Sequence, residues 1–419
     1  MTAVPPTSQP SRQWSWADLT NQWMRLVILF TGSLTTMTPL VFFWLSLPVL
    51  LRQAGVSFAL IGLTYLVYIP STFSFFWAPW IDNQVKRAPR AHLTWILKPL
   101  VAMTVATLSL AAFELASGSA FVIIFLLIML IATLSATARI AVMGYSVAAF
   151  NEAQRPLASV AILMGAAVAA LIGAGGLLLV HAHLGWAAMV ATMTALSACG
   201  IPVAAVAPAA APKLRVQGIN QKASLQAFFR GRGIGGFLVF LVLLGVGVGT
   251  AFGMIPPMLV ESGYSTEHIA FINAVVGFGT LLVGGPPAAL MIRVLGLTKT
   301  LTLSLALNTS IFVVCAMISV TALGGIWGIV IVAVIFMGLS FLDVPSNTFF
   351  MKISDRGQEN TDLSMITSIY FLTSIIGAAL SGALVDQLGF WATFAVAALL
   401  TACSIVALNA YFRRTRLKT

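Results

Sequence analysis

Charged residues are scarce in this chain, which has 419 residues but carries only 22 Lys and Arg and 11 Asp and Glu. They make up 8% of the sequence, whereas about a quarter of the residues in an average soluble domain are charged. Hydrophobic residues make up 59%, and they are spread along the whole chain rather than confined to one anchor. Because a water-soluble fold could not bury this much apolar surface, most of the chain must lie in lipid.

Residues that build catalytic and metal sites are also few. The three cysteines each lie inside an apolar run, where a thiol behaves as a small hydrophobe, so we expect no disulfide. The sequence contains no CxxC or HExxH pattern, and it therefore predicts no metal site and no cofactor. A membrane enzyme would need paired carboxylates, a histidine cluster or a nucleophile with its base at membrane depth. No such set is visible, so the sequence does not favour an enzyme.

Apolar segments of about 18–25 residues recur along the chain, and about 20 helical residues cross the hydrocarbon core. The pattern predicts an all-α integral membrane protein with six spans, a polar linker and six further spans. The predicted spans are 24–48, 58–81, 93–113, 120–144, 157–180, 185–207, 234–257, 266–291, 299–320, 324–349, 363–385 and 391–411.

These spans divide the chain into two halves and three polar segments. The predicted segments are an N-terminal tail over 1–23, a first half over 24–207, a linker over 208–233, a second half over 234–411 and a C-terminal tail over 412–419.

Lys and Arg are distributed asymmetrically between the predicted loops. If the N-terminus lies in the cytoplasm, the cytoplasmic loops and tails hold most of the basic residues, and the opposite loops hold Arg52 together with acidic residues. This is the bias expected of an inner-membrane protein with both termini in the cytoplasm. Topology and anionic lipid headgroups explain the net charge of +11, so membrane lipids are expected partners and nucleic acid is not. We expect a monomer.

The two halves repeat in sequence at an offset of 208 residues. The matching pairs are Pro48 and Pro256, Leu51 and Leu259, Gly55 and Gly263, Ser57 and Ser265, Ile61 and Ile269, and Pro79 and Pro287. Two six-helix halves related in this way are typical of alternating-access carriers. The sequence therefore predicts twelve transmembrane helices in two pseudo-symmetric halves.

One tract resembles a known family. Residues 47–57 read Leu-Pro-Val-Leu-Leu-Arg-Gln-Ala-Gly-Val-Ser, and residues 76–82 read Phe-Trp-Ala-Pro-Trp-Ile-Asp. The tract resembles the rhizobactin/pyochelin-type siderophore permeases of the major facilitator superfamily and, more distantly, muropeptide permeases and acetyl-CoA transporters. In the fourth span Ala138 and Arg139 follow Thr137, where these relatives have a Thr-Gln-Asp run, so no acidic site is transferred to it.

The resemblance implies a permease of the bacterial inner membrane that carries a ferric siderophore from periplasm to cytoplasm, with protons as the coupling ion. Iron would arrive chelated, which agrees with the absence of a ligand cluster in the sequence. A permease for muropeptides or other amphiphiles, an exporter of siderophores or drugs, and a non-transporting sensor or scaffold are the alternatives.

Charged residues inside spans are costly and usually functional. Arg139 in span four and Asp343 in span ten are predicted to bind substrate or to gate the cavity, and they are expected to approach each other when the cytoplasmic side closes. Asp343 is alternatively the carrier of the coupling proton. Asn347 lies on the same helical face as Asp343, and Lys98 is interpreted as snorkelling to the headgroups.

A bulky ligand needs a cavity with aromatic and amide walls. The candidate wall residues are Thr35, Trp44, Tyr65, Tyr68, Asn273 and Tyr370. Between spans two and three, Asp82 and Arg87 resemble the superfamily's acidic–basic signature in a degenerate form. We predict a gating role for both, in which Asp82 caps a facing helix and latches the halves.

Overall fold

The structure is a computed structural model, and it describes residues 16–77, 81, 90–113, 121–150, 155–209, 234–321, 326–353 and 359–415. Asp82 and Arg87 lie outside the described residues, as do nearly all of the predicted linker and most of the predicted N-terminal tail.

The first half contains six helices. Their segments are Trp16–Val41, a π-helical turn Phe42–Ser46 and Leu47–Gln53 for α1; Phe58–Thr64, Tyr65–Tyr68, Ile69–Thr72 and Ser74–Phe76 for α2; Ala91–Ser109 and Leu110–Ala112 for α3; and Phe121–Ala149 for α4. Helix α5 comprises Arg155–Leu171, a π-helical turn Ile172–Gly176 and the start of Leu177–Ala198. Gly185, with φ 81°, breaks that last segment, and α6 comprises the remainder and Gly200–Val206.

The second half contains six more helices. Their segments are Ile234–Gly253 and Ile255–Glu261 for α7; Thr266–Phe271, a π-helical turn Ile272–Gly277 and Phe278–Leu295 for α8; Leu297–Thr321 for α9; Ile326–Ile353 for α10; Glu359–Leu388 for α11; and Phe390–Thr415 for α12.

Most of these helices can cross a bilayer. Within the described residues, nine helices are long and apolar enough to do so, and one of them, Ala161–Val206, contains the break at Gly185 that separates α5 from α6. The two shorter apolar helices belong to α2 and α8, which are interrupted by 3₁₀ and π turns. The chain is thus a multi-pass integral membrane protein, and its helices agree with the predicted twelve.

The predicted repeat is confirmed in the local backbone. Gly55 and Gly263 both have φ 80°, a left-handed conformation that strains any residue with a Cβ atom. Two residues later, the hydroxyl groups of Ser57 and Ser265 accept hydrogen bonds from backbone N–H groups and cap α2 and α8. The same turn therefore opens the second helix of each half.

Helix packing follows the same symmetry. Helix α1 packs on α5 as α7 packs on α11, α2 lies beside α4 as α8 lies beside α10, and α3 lies beside α6 as α9 lies beside α12. The halves meet along two seams, α2 against α11 and α5 against α8, and also where the ends of α1 and α7 pack together. Glycine permits close contact at both seams: a Cβ on Gly382 would overlap the carbonyl oxygen of Phe58, and one on Gly175 would lie 2.8 Å from the carbonyl oxygen of Ala270.

Candidate functional site

An aromatic cluster joins the two halves at the middle of the molecule. Its members are Trp44, Tyr65 and Tyr68 from the first half and Phe252, Phe336 and Phe371 from the second. The Trp44 ring centroid lies 5.0 Å and 4.9 Å from the two tyrosine rings, in edge-on geometry. Phe371 stacks on Trp44 at 5.8 Å with an interplanar angle of 25°.

Trp44 is placed by a distortion of α1. It lies within the π-helical turn Phe42–Ser46, a distortion that is frequently found at functional sites. The turn packs on the π-helical turn of α5, where the Ser46 hydroxyl donates a hydrogen bond to the carbonyl oxygen of Gly173 at 2.8 Å. This bond holds the distorted turn in place beside the cluster.

Tyr65 and Tyr68, two of the three predicted wall tyrosines, are buried, and their hydroxyl groups are occupied. The Tyr65 hydroxyl donates to the carbonyl oxygen of Gly253 in α7 at 2.6 Å and so links the halves. The Tyr68 hydroxyl donates to the carbonyl oxygen of Leu40 in α1, also at 2.6 Å. In this state the two residues support Trp44 with their rings and carry no free polar group.

Arg139 lies on the side of α4 that faces α1. Its Nη1 atom is 4.0 Å from the sulfur of Met37, and Ser135, one turn earlier, donates a hydrogen bond to the carbonyl oxygen of Thr36. At 3.6 residues per turn, Arg139 is on the opposite side of the helix from the exposed Leu130. The guanidinium is solvent-accessible although protein surrounds it, a combination that places it on a cavity wall.

Asp343 occupies the corresponding wall in the second half. Its carboxylate is accessible although enclosed by protein, and it interacts electrostatically with Tyr370 of α11. Asn347 follows one turn later and is also exposed; its amide donates to the backbone carbonyl oxygen of Asp343 at 3.0 Å. Neither Asp343 nor Arg139 forms an ion pair within the part of the chain that the structure describes.

The remaining two predicted wall residues are fully buried. The Thr35 hydroxyl lies 3.2 Å from the carbonyl oxygen of Gly32, and its methyl group packs against Gly200 of α6, away from Trp44. Asn273 lies in the π-helical turn of α8, and neither atom of its side-chain amide has a hydrogen-bond partner among the described residues.

Hydrogen bonds and ion pairs between the halves are concentrated at one end, which we call the sealed end. Arg52 pairs with Glu261 at 2.6 Å, and the amide of Gln53 donates to the Thr266 hydroxyl at 2.9 Å. Asp386, at the end of α11, accepts hydrogen bonds from the first two N–H groups of α2 at 3.2 Å and 2.8 Å. A carboxylate at a helix N-terminus is favoured by the helix dipole.

The opposite, open end exposes the charged walls. Arg139, Asp343 and Asn347 are all accessible there, and we infer from their accessibility that a cavity between the halves opens at this end. The latch predicted at Asp82 lies outside the described residues, whereas Asp386 forms a cap of that kind at the sealed end.

Sequence reasoning missed four important residues: Phe252, Phe336, Phe371 and Asp386. The repeat could have found Phe252, because it lies 208 residues after Trp44. It could not have found Phe336 or Phe371, because the equivalent positions in the first half are aliphatic.

Residues 237–419 match the family model of the Major Facilitator Superfamily. A protein of Haemophilus influenzae, described as uncharacterized, is 26% identical over 385 residues, which cover 88% of this chain and 90% of that protein.

Two solved structures share the whole architecture. A D-xylose–proton symporter has a TM-score of 0.73 and is 12% identical, with 95% of this chain and 100% of that chain covered. The nucleoside transporter NupG has a TM-score of 0.68 and is 15% identical, with 94% of this chain and 100% of that chain covered. At these identities the likeness establishes the fold, and the chain has the major facilitator fold, with its helices in two pseudo-symmetric halves.

Proposed function

We propose that the protein is a secondary transporter of the bacterial inner membrane that imports a ferric siderophore from the periplasm by alternating access, driven by protons. One observation carries the transport proposal: the halves are bonded together at the sealed end, while a cavity with a cationic and an anionic wall opens at the other end. A cavity at a repeat interface that is accessible from one side is what a rocking carrier requires.

The direction of opening follows from the charge bias of the loops. The sealed end carries Arg52 with Glu261, Glu267 and Asp386, whereas the described residues at the helix ends of the open side include Arg90, Lys299, Lys352 and Arg413. Basic loops remain in the cytoplasm, so the sealed end is periplasmic, both termini are cytoplasmic, and the structure corresponds to an inward-open state.

The charged residues of the two cavity walls control the change between the inward-open and outward-open states. Arg139 is on α4 of the first half and Asp343 on α10 of the second, and neither forms an ion pair with another described residue. Closing the open end brings the walls together, so the pair forms in the outward-open state and breaks as the cytoplasmic side opens. A proton on the Asp343 carboxylate would remove this attraction and couple transport to the proton gradient.

The test is uptake of radioactive iron, supplied on a panel of siderophores, into cells that lack their own inner-membrane siderophore importers. We expect uptake that depends on the protein, falls with a protonophore, and is lost in Asp343→Asn but not in Lys98→Gln. Lys98 is a matched control because it lies on the face of α3 that also exposes Val101, Val105 and Leu108, and so faces lipid.

Two outcomes would contradict the proposal. If the Asp343→Asn variant still transported iron and its uptake still fell with the protonophore as before, Asp343 would not be the residue that couples transport to protons. If no siderophore were taken up by a well-expressed protein, import would be wrong, and a permease for muropeptides or other amphiphiles, or an exporter of siderophores or drugs, would take its place.

A further inference from the structure

The geometry points to a ligand with two features: a flat aromatic group that packs against the aromatic cluster, and an anionic group that binds Arg139 roughly two helical turns away. This inference rests on the proposed function, since it describes the molecule that the cavity would carry. It assigns the substrate class from the cavity walls alone.

Phe371 is the most exposed ring of the aromatic cluster, and Trp44 and Phe252 are partly buried. Tyr65, Tyr68 and Phe336 are almost completely buried, whereas Phe371 is 41% exposed. Phe371 rests on Trp44 in a stacked arrangement, so its orientation is supported from behind. An aromatic ring with a supported face and a free face is suited to stacking with a flat ligand, because ring quadrupoles favour offset-stacked pairs.

The depth of the charged residues follows from helix spacing. Met37, which contacts Arg139, lies seven residues before Trp44 on α1, and Asp343 lies seven residues after Phe336 on α10. Seven helical residues make about two turns and span roughly 10 Å. Arg139 and Asp343 therefore lie at a similar depth, both below the aromatic cluster and on opposite halves.

The two charges divide the cavity electrostatically. The Arg139 guanidinium is planar and always charged, and it binds carboxylates, phosphates and related oxyanions through paired hydrogen bonds. No acidic side chain in the described residues neutralises it. Asp343, with Tyr370 beside it, repels an anion from the second half, so an anionic ligand is held on the first-half side.

This arrangement selects among ligand chemistries. A neutral sugar would leave the guanidinium without a counter-charge, and a purely cationic ligand would be repelled by it. A planar aromatic anion satisfies both the exposed ring and Arg139, and a donor group on the same molecule would satisfy Asp343.

The test is binding to the purified full-length protein in lipid nanodiscs, measured by titration calorimetry with two ferric complexes. The ferric complex of 2,3-dihydroxybenzoate is aromatic and anionic, and the ferric complex of acetohydroxamate is neither. We expect the aromatic complex to bind more tightly. Arg139→Gln should weaken its binding by about tenfold or more, because charge-assisted hydrogen bonds are lost, and Arg139→Lys should weaken it less.

The aromatic part is tested by Phe371→Leu, which keeps an apolar side chain but removes the ring. We expect this variant to bind the aromatic complex several-fold more weakly and the acetohydroxamate complex unchanged. Lys98→Gln and Phe271→Leu are matched controls, because both residues are exposed but lie away from the cavity contacts described above. Thermal unfolding of each variant verifies that it is folded.

The outcomes separate this inference from the proposed function. Equal affinity for the two complexes, no binding of the aromatic complex, or binding unaffected by Arg139→Gln and Phe371→Leu would overturn the ligand assignment. Arg139-dependent binding without cellular uptake would support the assignment and contradict siderophore import. Uptake of a hydroxamate siderophore that is unaffected by both substitutions would contradict the assignment and support import.

Discussion

The two seams between the halves occupy equivalent places in the repeat, but they are built differently. In the α2–α11 seam, the first two N–H groups of α2 are bonded by Asp386 of the other half. In the α5–α8 seam, the residue equivalent to Asp386 is the buried Leu178, and α8 carries its own acidic residue, Glu267, in its first turn. Of these two helices, α2 therefore takes a second cap, in addition to Ser57, from the opposite half.

The same contrast recurs toward the middle of the seams. Tyr65 reaches across to the carbonyl oxygen of Gly253, whereas Asn273, 208 residues later, is shorter and leaves its buried amide unpaired. The α2–α11 seam is therefore held by short hydrogen bonds between the halves, whereas the polar contact found across the α5–α8 seam in the described residues is the longer one, 3.5 Å, between the exposed side chains of His183 and Glu267. We infer that the α2–α11 seam decides how stable the sealed state is.

The largest expected effect comes from filling the closest helix contact. Gly382→Ala would place a Cβ against the carbonyl oxygen of Phe58 and force α2 and α11 apart, which should cost the sealed state about 1–3 kcal/mol. The equivalent residue in the other seam, Ala174, already has a Cβ, so Ala174→Gly should leave the sealed end closed.

The readout is thiol labelling at the sealed end. In a variant without the three natural cysteines, Gln53→Cys and Thr266→Cys place two thiols where a hydrogen bond now joins the side chains. Gly382→Ala should increase their labelling and decrease their cross-linking, and an unchanged pattern would mean that the contact does not hold the end closed.

Removing the charge of the helix cap should have the next largest effect. Asp386→Asn keeps one acceptor oxygen but loses the carboxylate at the α2 N-terminus, which should cost about 0.5–2 kcal/mol. The same thiol pair should report a more open sealed end. Lys98→Gln, which changes a charge on the lipid face of α3, is the control and should leave labelling unchanged; an equal response would contradict the role of the cap.

Substitutions at Tyr65 and Asn273 should change the free energy of unfolding in opposite directions. Tyr65→Phe leaves the carbonyl oxygen of Gly253 without its partner and should lower stability by about 1 kcal/mol. Asn273→Leu removes an unpaired buried amide and should raise stability by a similar amount, about 1 kcal/mol. Thermal unfolding in detergent measures both, and a loss of stability in Asn273→Leu would show that the amide has a partner in the folded protein.

The smallest effect is expected for the ion pair at the sealed end. Arg52 pairs with Glu261 near the surface and lies 3.9 Å from the Phe58 ring centroid, and exposed pairs contribute about 0.2–1 kcal/mol. Arg52→Gln should lower the thermal stability slightly, and the difference from the natural protein should shrink at high salt. A large, salt-independent loss would indicate that packing of the arginine stem matters more than its charge.

The candidate site was predictable in part. Arg139 and Asp343 stand out because charges are rare in apolar spans, and the structure places both on the accessible walls. Trp44, Tyr65 and Tyr68 were expected to line a cavity, but in this state the hydroxyl groups of both tyrosines donate hydrogen bonds to backbone carbonyl oxygens. A buried hydroxyl finds a partner wherever one lies in reach, and no sequence pattern shows that Gly253 is within reach of Tyr65.

The sequence by itself determined that the chain lies in lipid, where its helices run, and that its two halves repeat. Span length is a local property, and the 208-residue offset can be read from matching turns. Tertiary structure alone decided which face of each helix lines the cavity and which end is closed. The physical reason is that lipid is as apolar as a protein core, so a helix such as α4 is hydrophobic on its lipid face and its packed face alike. The packing of α2 on α11, with Asp386 on the α2 N-terminus, and the contacts of Arg52 and Gln53 with the second half distinguish the sealed end from the open one.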